Sequence, residues 1–272
     1  MSASRVTIVV VTHNSADVAA QCLDSIERHA QGASTIVVDN ASGDASVEIA
    51  RPRPLVRVIA SAGNEGFSKA NNRALREVAT EFALVLNPDA RLTATTIPEL
   101  LAAALRSPRA AAFGPLTEHE DGAPQVSFGP DLSLLAERRQ RRLVTGVKAG
   151  KPEAIAQWRT LAAEERAVDW ISGSCMLLRM SAARAVGFFD ERYFLYEEDA
   201  DLCLRLRLAG HDVRFVPSAR VIHALGTSMA KSSDRAREAY DQSHRLYYRL
   251  HRNVFERAVL EAVIAAKRLR RG

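Results

Sequence analysis

The sequence contains little cysteine, with 3 such residues in a chain of 272. Cys22, Cys175 and Cys203 are widely spaced, odd in number, and form no CxxC pair. This usage argues against a zinc ribbon and against a disulfide framework, and it is typical of a reducing cytosol. We therefore expect a cytoplasmic protein that needs no disulfide to fold.

Long apolar runs are also missing from the sequence. The longest, Val6–Val11 and Phe82–Leu86, are far shorter than the roughly 18 residues that a membrane-spanning helix needs. The first run is too short for the core of a signal peptide, and no small-residue cleavage site follows it. We expect no transmembrane span and interpret Val6–Val11 as the first strand of a sheet.

An excess of one charge is absent from most of the chain, although the net charge is +5. Residues 235–272 hold ten basic and four acidic residues, which leaves residues 1–234 with a net charge of −1. A basic tail on a neutral body predicts a local anionic partner. Nucleic acid is not an expected partner, because the basic residues lie outside any recognisable nucleic-acid-binding motif.

Short apolar runs alternate with helical patterns over residues 1–105. The predicted strands are Val6–Val11, Thr35–Val38, Leu55–Ala60 and Phe82–Leu86, and the predicted helices are Asp17–Arg28, Phe67–Ala79 and Ile97–Leu105. Such alternation indicates βαβ units, and so an α/β fold with a Rossmann-like mixed, mostly parallel sheet flanked by helices.

The second half of the chain interrupts this alternation and then resumes it. Residues 117–168 are punctuated by Pro and Gly and are interpreted as a variable insertion. A strand at Ser174–Arg179, a helix at Ala200–Ala209 and a strand at Val213–Val216 follow. From Ser233 one long helical pattern continues without Pro or Gly until the final residue. We predict one domain over residues 1–232 and a basic amphipathic helical tail over residues 233–272.

Polar residues follow the carboxyl ends of the predicted strands, where α/β sheets bind ligands. Asp39 and Asn40 are suited either to hydrogen bonding with a nucleobase or ribose, or to closing an Asx-turn. The Gly63–Gly66 loop precedes a helix that carries Lys69, which suits an anion at a helix N-terminus or an ordinary loop. This loop matches neither GxGxxG nor the P-loop, so it does not support a dinucleotide fold.

Three further sites have two interpretations each. Asp89 closes an apolar strand, either as a turn residue or as an oxygen ligand for Mg²⁺ or Mn²⁺. Four acids lie within Glu197–Asp201, either as helix-capping residues or as a cluster in which one acid has the raised pKa of a general base. We assign Glu197 to capping. His223 is either a buried core residue or a metal ligand.

A series of sequence motifs covers roughly residues 5–228 in a fixed order. The motifs are VVVTHNS, VDNASGDAS at 38–46, GNEGFSKANN at 63–72, LVLNPDA at 84–90, VDWISGSCMLLR at 168–179, VGFFDERYFLYEEDADLCLRLRLAGHDVRFVP at 186–217 and VIHALGTS at 221–228. In these motifs the chain resembles the family-2 glycosyltransferases with a GT-A fold, in particular their bacterial rhamnosyltransferase-like branch. The 117–168 insertion matches poorly.

The resemblance implies an inverting transfer of a sugar from a nucleoside-diphosphate sugar, assisted by Mg²⁺ or Mn²⁺. The implied acceptor is a hydroxyl of a cell-envelope glycan or of a lipid-linked molecule. Rhamnose from dTDP-rhamnose is the first expected donor sugar, followed by UDP-linked galactose or N-acetylglucosamine.

The resemblance also implies roles for individual residues. It assigns donor binding to Thr12, Asn14, Asp39, Asn64, Gly66, Lys69, Asn72 and Asp89. It assigns general-base catalysis to Asp199, with Glu198 as its rival, and metal binding to Asp89 and His223. It assigns the acceptor and donor pocket to Trp170, Gly173 and Ser174. Asn87 stands where the family's DxD motif has its first aspartate, so fewer charges would hold the metal.

Two other classes of protein remain open. A nucleotidyltransferase on a similar fold is expected to carry a glycine-rich, basic loop after the first strand, where this chain has Thr12–Ser15. A sugar-nucleotide-binding scaffold without catalysis would not need Asp89, Asp199 and His223 together.

The tail has its own two interpretations. Apolar residues recur at helical spacing over residues 245–271, and arginines occupy the other positions. A basic amphipathic helix is typical of a peripheral contact with an anionic membrane surface, here the inner face of the plasma membrane. The alternative is packing on the body of the protein or on a second copy in a homodimer. The lipid-linked acceptors implied by the resemblance favour the membrane.

Overall fold

The structure is a computed structural model that describes residues 3–224 and 233–269. Side chains are described for residues 3–224 and 236–266. The predicted domain boundary after residue 232 and the end of the motif at 221–228 therefore lie outside the described residues. The same holds for the final three residues of the predicted tail.

The chain alternates strands and helices as the sequence predicts. The strands are β1 Val6–Thr12, β2 Ser34–Asp39, β3 Val56–Ala60, β4 Phe82–Leu86, β5 Ala90–Leu92, β6 Ala110–Glu118, β7 Pro124–Gln125, β8 Phe128–Gly129, β9 Arg166–Val168, β10 Trp170–Ile171, β11 Cys175–Arg179 and β12 Asp212–His223. The helices are α1 Ala16–His29, α2 Ser46–Ala50, α3 Phe67–Leu75, α4 Thr96–Arg106, α5 Leu134–Lys148, α6 Pro152–Leu161, α7 Met180–Ala185, α8 Glu198–Leu208, α9 Ser233–His251 and α10 Val254–Leu269. The strands and helices predicted for residues 1–105 are all present, with small shifts at their ends.

One large mixed sheet organises the molecule, with the strand order β3-β2-β1-β4-β11-β6-β12-β5. The first four strands in this order are parallel, whereas β11 runs antiparallel to both β4 and β6. The carboxyl ends of β1, β2 and β4 therefore meet at one edge of the sheet. The predicted α/β architecture, a mixed sheet flanked by helices, is confirmed.

The core lies on both faces of this sheet. β1 is buried along its whole length, and its side chains alternate between two hydrophobic clusters. Val9 and Val11 belong to the cluster that includes α3, whereas Ile8 and Val10 belong to the cluster that includes α1 and α4. A strand buried on both faces reads as a continuous apolar run, as Val6–Val11 does. Cys22, Cys175 and Cys203 are buried and free, so the prediction of no disulfide is confirmed.

The predicted insertion contributes to the same core. Its helices α5 and α6 place Leu143, Val147 and Trp158 in the α3-side cluster. The basic run of α5 faces solvent at Arg138 and Arg139. This amphipathic pattern explains how a segment with many charges packs on the body of the protein.

The tail is two helices, and the prediction of one continuous helix is wrong. The helix α9 ends at His251, and α10 begins at Val254. Between them, Asn253 Oδ1 accepts a hydrogen bond from Glu256 N (2.9 Å), and Asn253 Nδ2 donates to Glu256 Oε2 (3.1 Å). The first of these contacts is a side-chain cap on the backbone N–H of Glu256, which starts a new helix without Pro or Gly. The signal was present in the sequence as Asn253-x-x-Glu256.

The first tail helix packs on the body of the protein, which is one of the two interpretations of the tail. Leu246, Tyr247 and Tyr248 are buried in a third cluster with Tyr193 and Leu204. Across residues 3–224 and 233–269, no helix combines the length and the apolar character needed to cross a membrane.

Candidate active site

The first wall of the site is formed where β1 and β2 end side by side. Thr12 Oγ1 donates to Asp39 Oδ1 (3.0 Å), and Ser42 N donates to Asp39 Oδ2 (3.0 Å). Asn14 supports the same loop, since its Oδ1 accepts from Gly43 N (2.8 Å). Thr12 and Asp39 are buried, so the accessible surface here is formed by the loop that they hold. Donor binding by Thr12, Asn14 and Asp39 stays a prediction.

A second loop lies against the first through paired amides. Asn40 Nδ2 donates to Asn64 Oδ1 (2.9 Å), and Asn40 Oδ1 accepts from Glu65 N (2.9 Å). Asn64 Oδ1 also accepts from Gly66 N (3.0 Å). Asn40 is buried, whereas Asn64 is exposed at the rim. Asn40 therefore fixes the loop, and Asn64 is the amide that a ligand can reach.

Gly66 is required by its backbone and by its neighbours. Its φ of 86° and ψ of 172° fall in a region that is essentially restricted to glycine. A Cβ at this position would lie 2.5 Å from the backbone oxygen of Phe194. The same oxygen accepts a hydrogen bond from Phe67 N (2.7 Å). This contact joins the Gly63–Gly66 loop to the segment before α8.

We expect Gly66→Ala to lower the free energy of unfolding by at least about 2 kcal/mol, because backbone strain alone costs about 1–3 kcal/mol. The matched control is Gly63→Ala in the same loop, where a Cβ would meet no heavy atom within 4 Å. That control should stay within about 0.5 kcal/mol of the wild type. Urea denaturation of the two variants measures the difference in the free energy of unfolding. Equal values for the two variants would contradict the requirement for glycine at position 66.

Two residues predicted to bind the donor have other contacts. Asn72 is 1% exposed, and its amide donates to Phe189 O (2.8 Å) and accepts from Phe189 N (3.0 Å). It therefore positions the loop after α7, and donor binding by Asn72 stays a prediction. Lys69 is exposed and lies near Glu191. The Asn72 amide, then Arg76 and Lys69, hold the pKa of Glu191 below its usual value.

Asp89 and His223 lie side by side, because β5 and β12 are paired strands. The two residues are separated by 134 positions in the sequence. His223 Nε2 lies 3.0 Å from Asp89 Oδ1, and both side chains are largely buried. His223 Nδ1 lies 3.1 Å from Gln125 Oε1. When Nδ1–H is donated to the Gln125 oxygen, the Nε2 lone pair faces the Asp89 carboxylate, and two acceptors at this distance need a proton or a cation between them.

The donor atoms of this pair fit a divalent metal ion. An imidazole nitrogen and a carboxylate oxygen are common ligands of first-row divalent metals, and a second partner on the histidine fixes its tautomer. Within the described residues there is no group of three or more His, Cys, Asp or Glu side chains placed to hold a metal. Asn87 stands where the resemblance implies an aspartate, so Asp89 is the carboxylate that this segment offers to a metal ion.

Asp199 lies on the opposite side of the site, at the start of α8. Its Oδ2 accepts from Gly173 N (2.9 Å), and its Oδ1 accepts from Ala200 N (2.7 Å). Burial raises the pKa of Asp199 to about 6, although these two backbone hydrogen bonds act to lower it. Asp199 therefore ionises just below neutral pH, which is suited to a general base.

Glu198 differs from its neighbour in both burial and charge. It is 5% exposed, and its Oε2 is buried without a hydrogen-bond partner. Burial and the charge of Asp199 raise the pKa of Glu198 well above its usual value. Asp199, by contrast, is half-buried. Of the two rivals, Asp199 is the acid that is both reachable and ionised near pH 7.

A backbone bridge joins the two sides of the site. Gly173 N binds Asp199, and the adjacent Ser174 O accepts from Asn87 N (2.9 Å), two residues before Asp89. A Cβ on Gly173 would lie 3.5 Å from Asp199 Cβ, so the glycine leaves room beside the acid. The structure thus brings together the predicted catalytic acid, the predicted metal ligand and the predicted pocket residues Gly173 and Ser174.

Two other predicted residues have contacts that the sequence did not suggest. Trp170 is half-buried between two hydrophobic clusters, and its Nε1 has no partner among the described residues. Stacking of Trp170 on a sugar stays a prediction. Glu197 makes no capping hydrogen bond, and its Oε1 lies 2.9 Å from His244 Nδ1. Glu197 is the N-cap residue of α8, as predicted, but its side chain binds His244 and not a backbone N–H of the helix.

Three residues near the site were missed by sequence reasoning, namely Gln125, Ser243 and His244. Gln125 lies in the insertion, where no motif marks it. The two α9 residues had a signal, because Tyr240, His244, Tyr247 and His251 recur at helical spacing along one face. A stripe of polar aromatic and histidine side chains at that spacing indicates a helix face with specific polar partners.

Comparison with known proteins identifies sequence relatives. The sequence model of Glycosyl transferase family 2 matches residues 7–163, and that of Glycosyl transferase family group 2 matches residues 156–262. An N-acetylglucosaminyl-diphospho-decaprenol L-rhamnosyltransferase of Mycobacterium tuberculosis is 38% identical over 204 residues, which cover 70% of this chain and 66% of the relative. Rhamnosyltransferase WbbL of Escherichia coli is 54% identical over 56 residues, or 21% of each chain.

Comparison of structures supports the fold. A mannosyltransferase from Pyrobaculum calidifontis in complex with GDP-Man and Mn²⁺ has a TM-score of 0.60 at 16% identity, covering 97% of this chain and 80% of that one. Residues 1–349 of TarS from S. aureus give a TM-score of 0.59 at 18% identity, covering 96% of this chain and 68% of that one. These likenesses confirm the predicted GT-A fold.

Proposed function

We propose a sugar-transfer reaction for this chain, which belongs to glycosyl transferase family 2. The sugar moves from a nucleoside-diphosphate sugar to a hydroxyl of a cell-envelope glycan or a lipid-linked acceptor. The observation that carries the proposal is the backbone bridge Gly173–Ser174, which holds Asp199 opposite the Asp89–His223 pair at the carboxyl edge of the sheet. That edge is where open α/β sheets bind ligands.

The proposed chemistry is a single displacement. Asp199 takes the proton of the acceptor hydroxyl, whose oxygen attacks the anomeric carbon from the face opposite the leaving group. The bond from that carbon to the diphosphate breaks as the new glycosidic bond forms, so the anomeric configuration inverts. A second nucleophilic carboxylate, as in retaining glycosidases, is not needed.

The residues that would hold a metal ion in this reaction are Asp89 and His223. With Mg²⁺ or Mn²⁺ held there, these residues would place positive charge against the departing diphosphate. The Mn²⁺ and GDP-Man in the mannosyltransferase structure support this proposal. Gln125 would orient the His223 ring by accepting its second N–H.

The relatives favour rhamnose as the sugar and a lipid-linked acceptor. Two of them are named rhamnosyltransferases, and the Mycobacterium tuberculosis protein is named for an N-acetylglucosaminyl-diphospho-decaprenol acceptor. We therefore propose dTDP-rhamnose as the first donor to test, with UDP-linked galactose and N-acetylglucosamine next. The loop Thr12–Ser15 lacks the glycines and basic residues that a nucleotidyltransferase would place there.

The test is thermal stabilisation by dTDP, UDP, GDP and NAD, each with and without Mn²⁺. A ligand that binds only the folded protein stabilises it by about 2.7 kcal/mol at a hundredfold excess over its Kd. We expect a metal-dependent rise in Tm with dTDP or UDP. Absence of any rise with these nucleotides would contradict the proposal, and a rise without turnover of any donor would favour the scaffold.

We also propose that the tail contacts an anionic membrane surface. The tail surface consists of Arg249, Val254, Phe255 and Arg257. Val254 and Phe255 are 70% and 74% exposed, Arg249 is exposed and Arg257 is partly exposed. Exposed apolar groups on a tail that also presents arginines suit the interface of anionic lipids.

Reversing two charges of the tail surface should weaken this contact. Each basic residue near an anionic surface contributes about 1 kcal/mol, so Arg249→Glu with Arg257→Glu should weaken vesicle binding by more than about tenfold. The matched control is Arg138→Glu with Arg139→Glu on α5, which changes the net charge equally. Sedimentation with vesicles of phosphatidylglycerol and phosphatidylcholine measures binding. Equal loss in both variants, or a dimer that only the tail variant dissociates, would contradict the membrane contact.

A further inference from the structure

The acid turn, defined as residues 195–199, has a strained backbone. Tyr196 and Glu197 have φ values of 72° and 65°, so two consecutive residues with side chains are left-handed. This conformation is unfavourable for residues that carry a Cβ, and it persists only where the surrounding structure imposes it. Glu198 and Asp199 follow directly, so the direction of both acids depends on these two residues.

Two consecutive residues of α9 hold the acid turn from outside. Ser243 Oγ donates to Leu195 O (2.7 Å), and His244 Nδ1 lies 2.9 Å from Glu197 Oε1. The side chains of Ser243, His244 and Glu197 are all buried. The Ser243 contact falls on Leu195, just before the two left-handed residues, and the His244 contact falls on Glu197, the second of them. Together the two contacts hold the left-handed pair in place.

His244 is enclosed by groups from three elements. Its Nε2 lies 3.2 Å from Glu137 Oε2 on α5, and Glu197 of the acid turn binds its Nδ1. From its own helix, the Tyr240 ring stacks on it with centroids 5.4 Å apart, and the Tyr248 hydroxyl donates to Glu137 Oε1 (2.5 Å). Two carboxylates therefore face the two ring nitrogens inside an otherwise aromatic site.

This arrangement favours the charged ring. Burial would lower the pKa of His244, but the hydrogen bonds to Glu137 and Glu197 outweigh it and raise the pKa to about 9. At neutral pH both ring nitrogens then donate, one to each carboxylate. A neutral side chain of similar size would carry no positive charge between the two carboxylates, so it would weaken both contacts.

We propose that Ser243 and His244 are positioning residues, which hold the left-handed acid turn and so direct Asp199 into the site. The proposal rests on the proposed function in one respect, namely that Asp199 acts on the acceptor. It gives the first tail helix a role in the reaction, since a helix far along the chain completes the geometry of the catalytic acid.

The test compares His244→Gln with the matched control His251→Gln. His251 lies on the same helix and also binds a buried carboxylate, with Nε2 2.7 Å from Asp201 Oδ1, but it does not contact the acid turn. We expect His244→Gln to lower kcat at least tenfold with the donor KM unchanged, and His251→Gln to keep kcat. Equal loss of kcat in both variants would show that α9 only packs, and would overturn the proposal.

The pH profile gives a second readout that packing alone would not change. The wild-type kcat should fall as the pH rises through about 9, where His244 loses its proton. His244→Gln should lack this descending limb. A limb that persists unchanged in the variant would count against the role of the charged ring. Ser243→Ala, which removes one hydroxyl, should lower kcat in the same direction if the glutamine variant does not fold.

A third readout does not depend on turnover. Hydrogen exchange of the backbone amides of residues 195–199 should be faster in His244→Gln than in the wild type, and unchanged in His251→Gln. If the wild type turns over no donor but this exchange pattern appears, the proposed function has failed and the positioning contact stands. If turnover occurs and exchange in His244→Gln matches the wild type, the positioning proposal has failed.

Discussion

Asp199→Asn is expected to lower kcat by about 10²–10⁴-fold, the contribution of a well-placed general base. The asparagine keeps the size of the side chain and can still accept the hydrogen bond from Gly173 N, but it cannot take a proton from the acceptor. Affinity for the nucleotide should not change, because the hydrogen bonds of Asp199 go to Gly173 N and Ala200 N and not to the Asp39 or Asn64 loops. Wild-type kcat should rise with pH through about 6, the pKa of Asp199.

Stability separates loss of chemistry from loss of folding in this variant. The pKa of Asp199 is raised from 3.8 to about 6 in the folded protein, so the folded state binds this proton more tightly than the unfolded state. Between these values stability falls as the pH rises, and the ionised acid lowers stability at pH 7. Asp199→Asn should therefore be at least as stable as the wild type at neutral pH.

Glu198→Gln is the matched comparison for the base. Glu198 is buried, and its raised pKa favours the neutral acid, for which an amide is a close replacement. We expect most of the activity to remain. If Glu198→Gln abolishes transfer while Asp199→Asn retains it, Glu198 is the base and the assignment of Asp199 is wrong.

Asp89→Ala is expected to weaken metal-dependent binding of the donor by at least about 100-fold. Loss of a residue that merely supports a metal ligand costs about 10–100-fold in metal affinity, and Asp89 is the carboxylate nearest to His223. Isothermal titration of dTDP and UDP in the presence of Mn²⁺ measures the effect.

Two controls accompany Asp89→Ala. Nucleotide binding without metal should equal that of the wild type, because Asp89 lies outside the Asp39 and Asn64 loops that we propose to bind the nucleotide. Gln125→Leu, which removes the acceptor for His223 Nδ1, should weaken metal-dependent binding less than Asp89→Ala does. Unchanged affinity of Asp89→Ala with Mn²⁺ present would remove Asp89 from the metal site.

Local sequence patterns predicted the parallel strands of the sheet, because the burial of a strand determines which of its residues are apolar. Val6–Val11 is apolar throughout because β1 is covered on both faces, and the polar residues after it mark the edge where the strand leaves the core. The need for glycine at position 66 arises in the loop between β3 and α3. The pairing of Asp89 with His223 could not follow from spacing, since the neighbouring strands β5 and β12 are far apart in the sequence, and only the family resemblance placed the two residues together.

Polar contacts between elements that are distant in the sequence could not be predicted from local patterns. Glu197 has the composition of a helix cap, but it binds His244, which lies 47 positions away. The break at Asn253 left a short-range signal, whereas the direction in which α9 packs left none beyond the spacing of its histidines and tyrosines. Helix periodicity tells which residues share a face, and the identity of the partner depends on tertiary structure.

The most direct test of inverting transfer is the configuration of the product. The whole chain would be incubated with dTDP-rhamnose, Mn²⁺ and an N-acetylglucosaminyl-diphospho-polyprenol acceptor, and the product would be examined by NMR at its anomeric carbon. Single displacement with Asp199 as base predicts a new glycosidic bond whose configuration is opposite to that of the donor, with dTDP released in equal amount. A product that retains the donor's configuration would contradict it.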